Sequence, residues 1–358
     1  MTEFCCGTRI VSGRGSLEYL KSMGVQRMMV VADPFFAKNG VAQRVAQMAK
    51  EGRIFSDVLP DPTVELAAKG AAQVKEFSPD VLVAIGGGSA MDCAKAMLFF
   101  SGQEAILVAV PTTSGSGSEV TDFSILTHNG IKHPLVDRKL APHVAILDDE
   151  LLEKLPKSLI ADAGFDVLSH AMEALVGLKA GPISDALARD AFCTCFSGLG
   201  ASFEGNASVR LGIHTAATMA GMAFSQAGLG LCHAMSHSLG GLYHIPHGRL
   251  NAILMPAVMQ ANLPAGMGPY ARLARAAGLG GSADTVAVRN LRQAWIRLRQ
   301  RLEMPGDLAQ AGVVPRQLWQ DGDKIVTAVL EDPCCQTNPV TVTADLVRQV
   351  LSEVAGRE

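Results

Sequence analysis

Up to about residue 150, the chain alternates short apolar runs with segments whose apolar residues recur at helical spacing. The runs are rich in β-branched residues and predict five strands, at residues 27–33, 53–59, 81–89, 105–113 and 144–148. Residues 41–52 and 65–77 predict helices between them. Because this alternation is typical of βαβ units, we predict an α/β N-terminal domain with a doubly wound, mostly parallel sheet.

One segment interrupts this alternation. Residues 123–137 read FSILTHNGIKHPLVD, with Asn129 and Gly130 between two extended stretches. Both residue types tolerate positive φ, which the tight turn of a β-hairpin requires. We therefore predict a small β-hairpin here.

Beyond Leu151 the strand pattern stops. Long segments rich in Ala, Leu, Met and Gly predict packed helices, at residues 158–178, 184–200, 207–227, 232–242 and 284–303. A length of 358 residues fits two domains. We place them at residues 1–151, which form the α/β domain, and residues 152–358, which form an all-α domain.

Composition narrows the class of partner. The chain has 31 basic and 34 acidic residues, for a net charge of −3, and no block of like charges. This balance argues against nucleic acid as a partner. Because the chain shows neither a signal peptide nor a membrane-spanning run, we expect a cytoplasmic protein with small-molecule partners. The many small residues also favour close helix packing and an oligomer interface.

The segment AIGGGSAMDCAKA places glycines at the carboxyl end of an apolar strand, directly before a helix. The backbone amides of Gly87, Gly88 and Ser89 could approach a pyrophosphate at the helix N-terminus. The spacing is not the usual G-x-G-x-x-G, so a tight turn without a ligand is the alternative.

The next strand end strengthens the nucleotide hypothesis. PTTSGSGSEVTD offers the hydroxyl groups of Thr112, Thr113, Ser116 and Thr121 between glycines. Asp33 ends an earlier strand, where a carboxylate can bind an adenosine ribose and repel a 2′-phosphate. It favours NAD over NADP, although an ordinary cap before Pro34 explains it equally well.

Histidines and one aspartate predict a metal site. In GFDVLSHAMEAL, Asp166 and His170 are separated by one helical turn and can share an ion. Further along, GLGLCHAMSHSLGGLYHIPHG contains four of the nine histidines.

Within that cluster His233 and His237 are again one turn apart, and either could bind, while His247 follows the predicted helix end. One carboxylate and three imidazoles leave a coordination position for substrate, as in catalytic sites. Such ligands accept several divalent metals.

Four segments together resemble the iron-containing (group III) alcohol dehydrogenases, namely GGGSAMDCAKA, PTTSGSGSEVT, AGFDVLSHAMEA and GLGLCHAMSHSLGGLYHIPHG. The resemblance implies a nucleotide domain followed by a helical domain, with NAD and Fe²⁺ as cofactors and Zn²⁺ as the other candidate metal. It also implies interconversion of short-chain aldehydes, such as propionaldehyde or acetaldehyde, with primary alcohols.

The resemblance assigns roles by position. The implied metal ligands are Asp166, His170, His233 and His247, and His237 lies near the reacting centre as the catalytic proton relay. The implied nucleotide contacts are Asp33, Gly87, Gly88, Ser89, Asp92, Thr112, Thr113, Ser116, Thr121 and Lys132.

Two positions depart from the family pattern, Ala163 and Arg249, and Arg249 puts the substrate in doubt. The alternatives are a glycerol-dehydrogenase-like or dehydroquinate-synthase-like metal enzyme and a component without catalytic activity. Within the family, the resemblance is strongest to members of bacterial microcompartments. We expect a homodimer or higher homo-oligomer, in the cytoplasm or inside a microcompartment beside its other enzymes.

Overall fold

The structure is a computed structural model that describes residues 4–128 and 131–356. The chain divides into two compact units, Cys5–Leu155 and the residues from Pro156 onward. The strands of the first unit are β1 (Arg9–Ser12), β2 (Arg27–Ala32), β3 (Glu51–Phe55), β4 (Val81–Gly86), β5 (Ile106–Pro111), β6 (Phe123–His128), β7 (Ile131–Val136) and β8 (Val144–Leu147). Its helices are α1 (Tyr19–Ser22), α2 (Pro34–Lys38), α3 (Val41–Ala46), α4 (Val64–Phe77) and α5 (Gly88–Ser101).

Six strands form one sheet in the order β1-β8-β5-β4-β2-β3, and every neighbouring pair is parallel. Alternate residues of β2 enter different cores: Met28 and Val30 pack on one face of the sheet, and Met29 and Val31 on the other. Because both faces are covered, the strands are apolar almost throughout. The prediction of a doubly wound parallel sheet is confirmed.

The strand order reverses between β2 and β4, since β2 continues to β3 on one side and β4 to β5 on the other. Ligands of open α/β sheets bind beyond the carboxyl ends of the strands at such a reversal. Asp33 directly follows β2, and Gly87 directly follows β4. The topology therefore places these predicted nucleotide contacts at the expected point.

Several predicted boundaries were wrong. The strand predicted at residues 53–59 ends at Phe55, the last residue that pairs with β2, although Val58 still packs into the core. The helix predicted at residues 41–52 ends at Ala46. Gly52, in β3, passes so close to the end of this helix that a Cβ there would overlap the Ala46 carbonyl. The prediction also missed β1, a short edge strand.

The predicted hairpin is present. β6 and β7 pair antiparallel and form a separate two-stranded sheet. The turn residues that led to the prediction, Asn129 and Gly130, lie outside the described residues.

The second unit is helical, as predicted, and the described part of it contains no strand. Its helices are α6 (Lys157–Val176), α7 (Pro182–Phe203), α8 (Arg210–Ala227), α9 (Leu231–Tyr243), α10 (His247–Ala261), α11 (Leu263–Ala276), α12 (Asp284–Arg301), α13 (Pro315–Gln320), α14 (Gly322–Glu331) and α15 (Ala344–Val354). α6 packs against α7, α8 and α10, so it lies at the centre of the bundle. Among the described residues, no helix has the length and apolar character needed to span a bilayer.

Candidate metal centre and nucleotide loops

The predicted metal ligands come from three helices of the second unit. α6 carries Asp166 and His170 on one face, α9 carries His233, and α10 begins at His247. The Nε2 atoms of the three histidines lie 3.7, 3.8 and 3.5 Å from Oδ1 of Asp166, in that order. Ligand atoms bound to one ion at about 2.1 Å lie about 3.4 Å apart in tetrahedral geometry. The structure therefore brings Asp166, His233 and His247 within reach of one ion, and His170 also faces Asp166.

Aromatic stacking encloses one side of this cluster. The ring of His170 stacks on that of Phe224 at 4.4 Å and on that of His233 at 4.6 Å. His170 and His233 are almost completely buried, whereas the side chain of His247 is 33% exposed. Solvent can therefore reach the cluster beside His247.

Glu173, which was not predicted from the sequence, orients one of the predicted ligands. Its Oε2 accepts a hydrogen bond of 2.6 Å from Nδ1 of His233, which leaves Nε2 of that ring to face Asp166. The backbone amides of Gly230 and Cys232 also donate to this carboxylate. A carboxylate behind a ligating imidazole is the usual arrangement in metal sites. Glu173 follows His170 by three residues, and this helical spacing could have revealed it.

Asn251 supports the cluster from α10 and was also missed. Its Nδ2 donates to Oδ1 of Asp166 at 2.9 Å, and its own Oδ1 accepts from the hydroxyl of Ser236 at 2.5 Å. The thiol of Cys232 points to the same amide oxygen, at 3.6 Å. Cys232 is thus directed at Asn251, although it is adjacent to His233 in sequence.

The cluster is strongly coupled electrostatically. Burial opposes charge on Asp166, but His170, His247 and His233 outweigh it and hold the pKa of that carboxyl well below its usual value. Burial keeps the pKa of His247 well below the ordinary value. Burial also disfavours charged His233, but Glu173 and Asp166 raise its pKa to about 9. A carboxylate anion is therefore available at neutral pH.

His237 has a carboxylate partner of its own. Its Nδ1 donates to Oδ2 of Asp332 at 2.7 Å, and its ring stacks on that of His247 at 5.2 Å. Asp332 is fixed in turn by the amide of Cys334, at 2.8 Å. His237 thus lies next to the predicted ligand cluster, and Asp332 holds its ring at Nδ1. Asp332 was not among the residues predicted from the sequence.

Arg249, one of the two departures from the family pattern, forms a bidentate pair with Asp162. Nε and Nη2 of Arg249 lie 3.1 and 2.9 Å from the two carboxylate oxygens. Asp162 precedes Asp166 by one turn of α6, and a Cβ on Gly248 would overlap the Asp162 carbonyl. The pair therefore joins the first turn of α10, where His247 lies, to α6.

In the first unit, two loops meet beyond the ends of β4 and β5. We call residues 86–89 the glycine turn and residues 112–122 the hydroxyl loop. A Cβ on Gly87 would lie 3.3 Å from Oγ1 of Thr113, and a Cβ on Gly88 would lie 3.2 Å from Oγ of Ser116. Gly88 and Ser89 begin α5, so their amides lack partners within the helix. Both predicted nucleotide loops therefore lie side by side.

The remaining predicted contacts differ in their surroundings. The Asp33 carboxylate accepts from the amide of Phe35 at 2.8 Å, so it does cap α2, and its Cβ lies beside Gly86. Thr112 is buried, and its amide donates to the Gly86 carbonyl. Lys132, on β7, pairs with Asp61 at 2.7 Å.

Asp92 and Thr121 belong to a buried network that the sequence analysis did not foresee. Its centre is Lys95, whose Nζ donates to Oγ1 of Thr121 at 3.0 Å and to Oγ of Ser118 at 3.1 Å. Ser118 in turn donates to Oδ1 of Asp92 at 2.9 Å. Burial raises the pKa of Asp92 to about 6 and lowers that of Lys95 to about 8.

Comparison with known families gives two matches that together cover most of the chain. Residues 7–149 match the model described as iron-containing alcohol dehydrogenase, and residues 160–355 match the C-terminal model of the Fe-containing alcohol dehydrogenase family.

The chain is 40% identical to 1-propanol dehydrogenase PduQ of Salmonella typhimurium, over 99% of this chain and 100% of that protein. It is 35% identical to an NADPH-dependent butanol dehydrogenase of Clostridium saccharobutylicum, over 98% and 97% of the two chains. Among solved structures, it is similar to an iron-containing alcohol dehydrogenase from Thermococcus thioreducens, with a TM-score of 0.91, 32% identity and coverage of 99% and 100%.

Proposed function

Because the chain belongs to the iron-containing alcohol dehydrogenase family, we propose that it interconverts short-chain aldehydes and primary alcohols with NAD(H) and a divalent metal ion. It is an oxidoreductase of the alcohol dehydrogenase type. The proposal extends this to substrate size, cofactor, metal and the residues responsible.

The observation that carries the proposal is the arrangement around Asp166. Three imidazole nitrogens, from His170, His233 and His247, lie within 4 Å of one carboxylate oxygen. The donor set fits a divalent ion, because Glu173 accepts a hydrogen bond from Nδ1 of His233 and so directs Nε2 toward the site, where a bound ion would replace its proton. Four protein ligands of mixed nitrogen and oxygen type suit Fe²⁺ and also Zn²⁺.

A divalent ion bound there would polarise the oxygen of the alcohol or aldehyde as a Lewis acid, which favours hydride exchange with the nicotinamide. The protein's part is to hold its ligands rigidly. Asn251 and Glu173 fix Asp166 and His233 by hydrogen bonds of 2.9 and 2.6 Å. Such support limits the rearrangement needed when substrate binds.

We assign the proton relay to His237. Asp332 binds Nδ1, so Nε2 is the nitrogen that exchanges a proton with the substrate side. The stacking of His237 on His247 supports this role, because it places the ring next to the ligand cluster without using it as a ligand.

NAD(H) is the proposed cofactor. Gly87, Gly88 and the amide of Ser89 would receive the pyrophosphate at the N-terminus of α5. Asp33 lies at the end of β2, where its charge disfavours a 2′-phosphate. Because a relative that is 35% identical is an NADPH-dependent enzyme, the preference needs its own test. Replacing Asp33 with Ser should lower the ratio of NADH to NADPH efficiency about tenfold or more, and an unchanged ratio would contradict the assignment.

The test of the proposal is direct. Metal-free protein is loaded with Fe²⁺ under anaerobic conditions or with Zn²⁺, and NADH oxidation is followed at 340 nm with propionaldehyde, acetaldehyde and butyraldehyde. We expect turnover only in loaded protein, and loss of turnover in His233→Ala. Absence of turnover with every short aldehyde and either metal would refute the proposal.

We also propose that the protein works as a homodimer or larger homo-oligomer, beside other enzymes of a bacterial microcompartment. The similarity to 1-propanol dehydrogenase PduQ supports this. Light scattering of the purified protein tests the first point, and co-purification with microcompartment shell proteins tests the second.

A further inference from the structure

The face of α5 that meets the hydroxyl loop carries Gly88, Asp92 and Lys95, at successive helical spacings of four and three residues. Gly88 belongs to the glycine turn. Lys95 lies two turns further along, and its side chain is only 1% exposed. A lysine is rarely buried so completely unless its ammonium group is paired. The contacts of Lys95 therefore indicate what this helix face does.

The acceptors that Lys95 contacts all belong to the segment that follows β5. Besides the hydroxyls of Ser118 and Thr121, Nζ donates to the carbonyl oxygens of Thr121 at 2.9 Å and Phe123 at 2.8 Å. Asp92, Glu119 and Asp122 supply negative charge around it. One cation thus holds the far end of the hydroxyl loop to α5.

The network continues toward the glycine turn. The hydroxyl of Ser118 donates a hydrogen bond to Asp92, and its amide donates one to Oγ of Ser116 at 3.3 Å. Ser116 is the residue whose hydroxyl lies closest to Gly88. The position of this hydroxyl relative to the helix N-terminus therefore depends on Ser118, and through Ser118 on Lys95.

Thr121 does not face outward. Its side chain is completely buried, and its hydroxyl binds Lys95 and the Ser118 carbonyl. In this structure it is placed to act through Lys95, although the family resemblance suggests that it lines the nucleotide.

We propose that Lys95 is the positioning residue of the nucleotide site, holding Ser118 and Thr121 so that Ser116 stays against the glycine turn. The inference rests on the proposed binding of NAD(H) by these two loops. It predicts that loss of the cation frees the hydroxyl loop and weakens nucleotide binding, while the metal centre in the other unit is unaffected.

The experiment compares Lys95→Met, Thr121→Val and the double variant, with Lys69→Met as the control. Lys69 is an exposed lysine of α4 that pairs with Asp57. NADH binding is measured by its fluorescence, and metal content and kinetics are measured on the same samples. Binding by the wild type is the reference, and its absence would refute the proposed function itself rather than this inference.

We expect Lys95→Met to raise the NADH Kd at least about tenfold, since hydrogen bonds to a charged group are strong. The KM for NADH should rise in parallel, while kcat at saturating NADH, the aldehyde KM and the metal content stay within about twofold. A purely structural defect would lower the metal content and kcat as well. Lys69→Met should bind NADH like the wild type.

Double-mutant coupling separates the two roles of Thr121. If it acts through Lys95, adding Thr121→Val to Lys95→Met changes the Kd no further. Additive effects would mean that Thr121 binds the nucleotide directly, and would overturn the proposal. Should Lys95→Met not fold, Thr121→Val and Ser118→Ala carry the test. Both must weaken NADH binding and speed hydrogen exchange in residues 116–123, and normal binding by both would overturn it.

Discussion

Replacing Arg249 with Leu tests how the proposed metal ligands are held at their observed separation. The substitution removes one half of the bidentate pair that ties α10 to α6 and leaves the Asp162 carboxylate without its cation. The two side chains are 31% and 12% exposed, so the pair is intermediate between surface and buried. Surface pairs contribute about 0–1 kcal/mol, and breaking a buried pair costs about 3–5 kcal/mol. We therefore expect a loss of about 2–3 kcal/mol.

Calorimetry of the metal-free protein measures this loss. For a unit of about 200 residues, each kcal/mol shifts Tm by roughly 2–4 °C, so Tm should fall by roughly 4–12 °C. Metal titration should show affinity reduced about tenfold, because His247 lies in the same helical turn as Arg249. Arg249→Lys keeps the charge but not the bidentate geometry, and should fall between Leu and wild type.

The control is Arg301→Leu. Arg301 also places two nitrogens on one carboxylate, that of Glu204, but both side chains are more than half exposed. Its loss should cost less than about 1 kcal/mol. An equal loss in the two variants, or an undiminished loss when Arg249→Leu is added to Asp162→Asn, would refute the reasoning.

The pH dependence gives a second check. Burial raises the pKa of Asp162, and Arg249 opposes that rise. Without Arg249 the pKa rises further above the unfolded value, so stability is lost as pH increases through the folded pKa. The stability deficit of Arg249→Leu should therefore be larger at pH 8 than at pH 5.5, and a constant deficit would contradict the argument.

The contacts around the candidate metal centre also predict the effects of three other substitutions. Glu173→Gln should weaken metal binding about 10–100-fold in a titration of metal-free protein, because His233 loses its charged partner. Gly248→Ala should destabilise the protein by about 1–3 kcal/mol or more in urea unfolding, because the added methyl group overlaps the Asp162 carbonyl. Asp332→Asn should lower kcat about tenfold or more with little change in metal affinity, and the reverse pattern would make it part of the ligand support.

The sheet could be predicted because buried parallel strands are continuous apolar runs, and the topology then followed from the βαβ pattern. Edges were harder. β1 has four residues and no fully buried side chain, so it lacks the apolar run of the central strands. Val58 is as apolar and as buried as a strand residue, yet it lies beyond the last pairing of β3. Composition alone does not distinguish it from a strand residue.

The candidate site divides in the same way. Helical spacing was enough to pair Asp166 with His170 and His233 with His237, because each pair lies on one helix face. The contacts that orient them could not be predicted, although the three-residue spacing from His170 marks Glu173 as a candidate. Glu173 lies 60 residues before His233, so their contact depends on how α6 packs against the start of α9, which no local pattern encodes.

The two histidines of α9 show why these supporting carboxylates matter. His233 and His237 share a helix face, and spacing alone leaves either as a ligand. In the structure Glu173 on α6 binds Nδ1 of His233, and Nε2 of that ring faces Asp166 at 3.8 Å. Asp332 binds Nδ1 of His237 instead. Because a carboxylate holds Nδ1 in both rings, the two histidines differ in what Nε2 faces, and that nitrogen faces Asp166 only in His233.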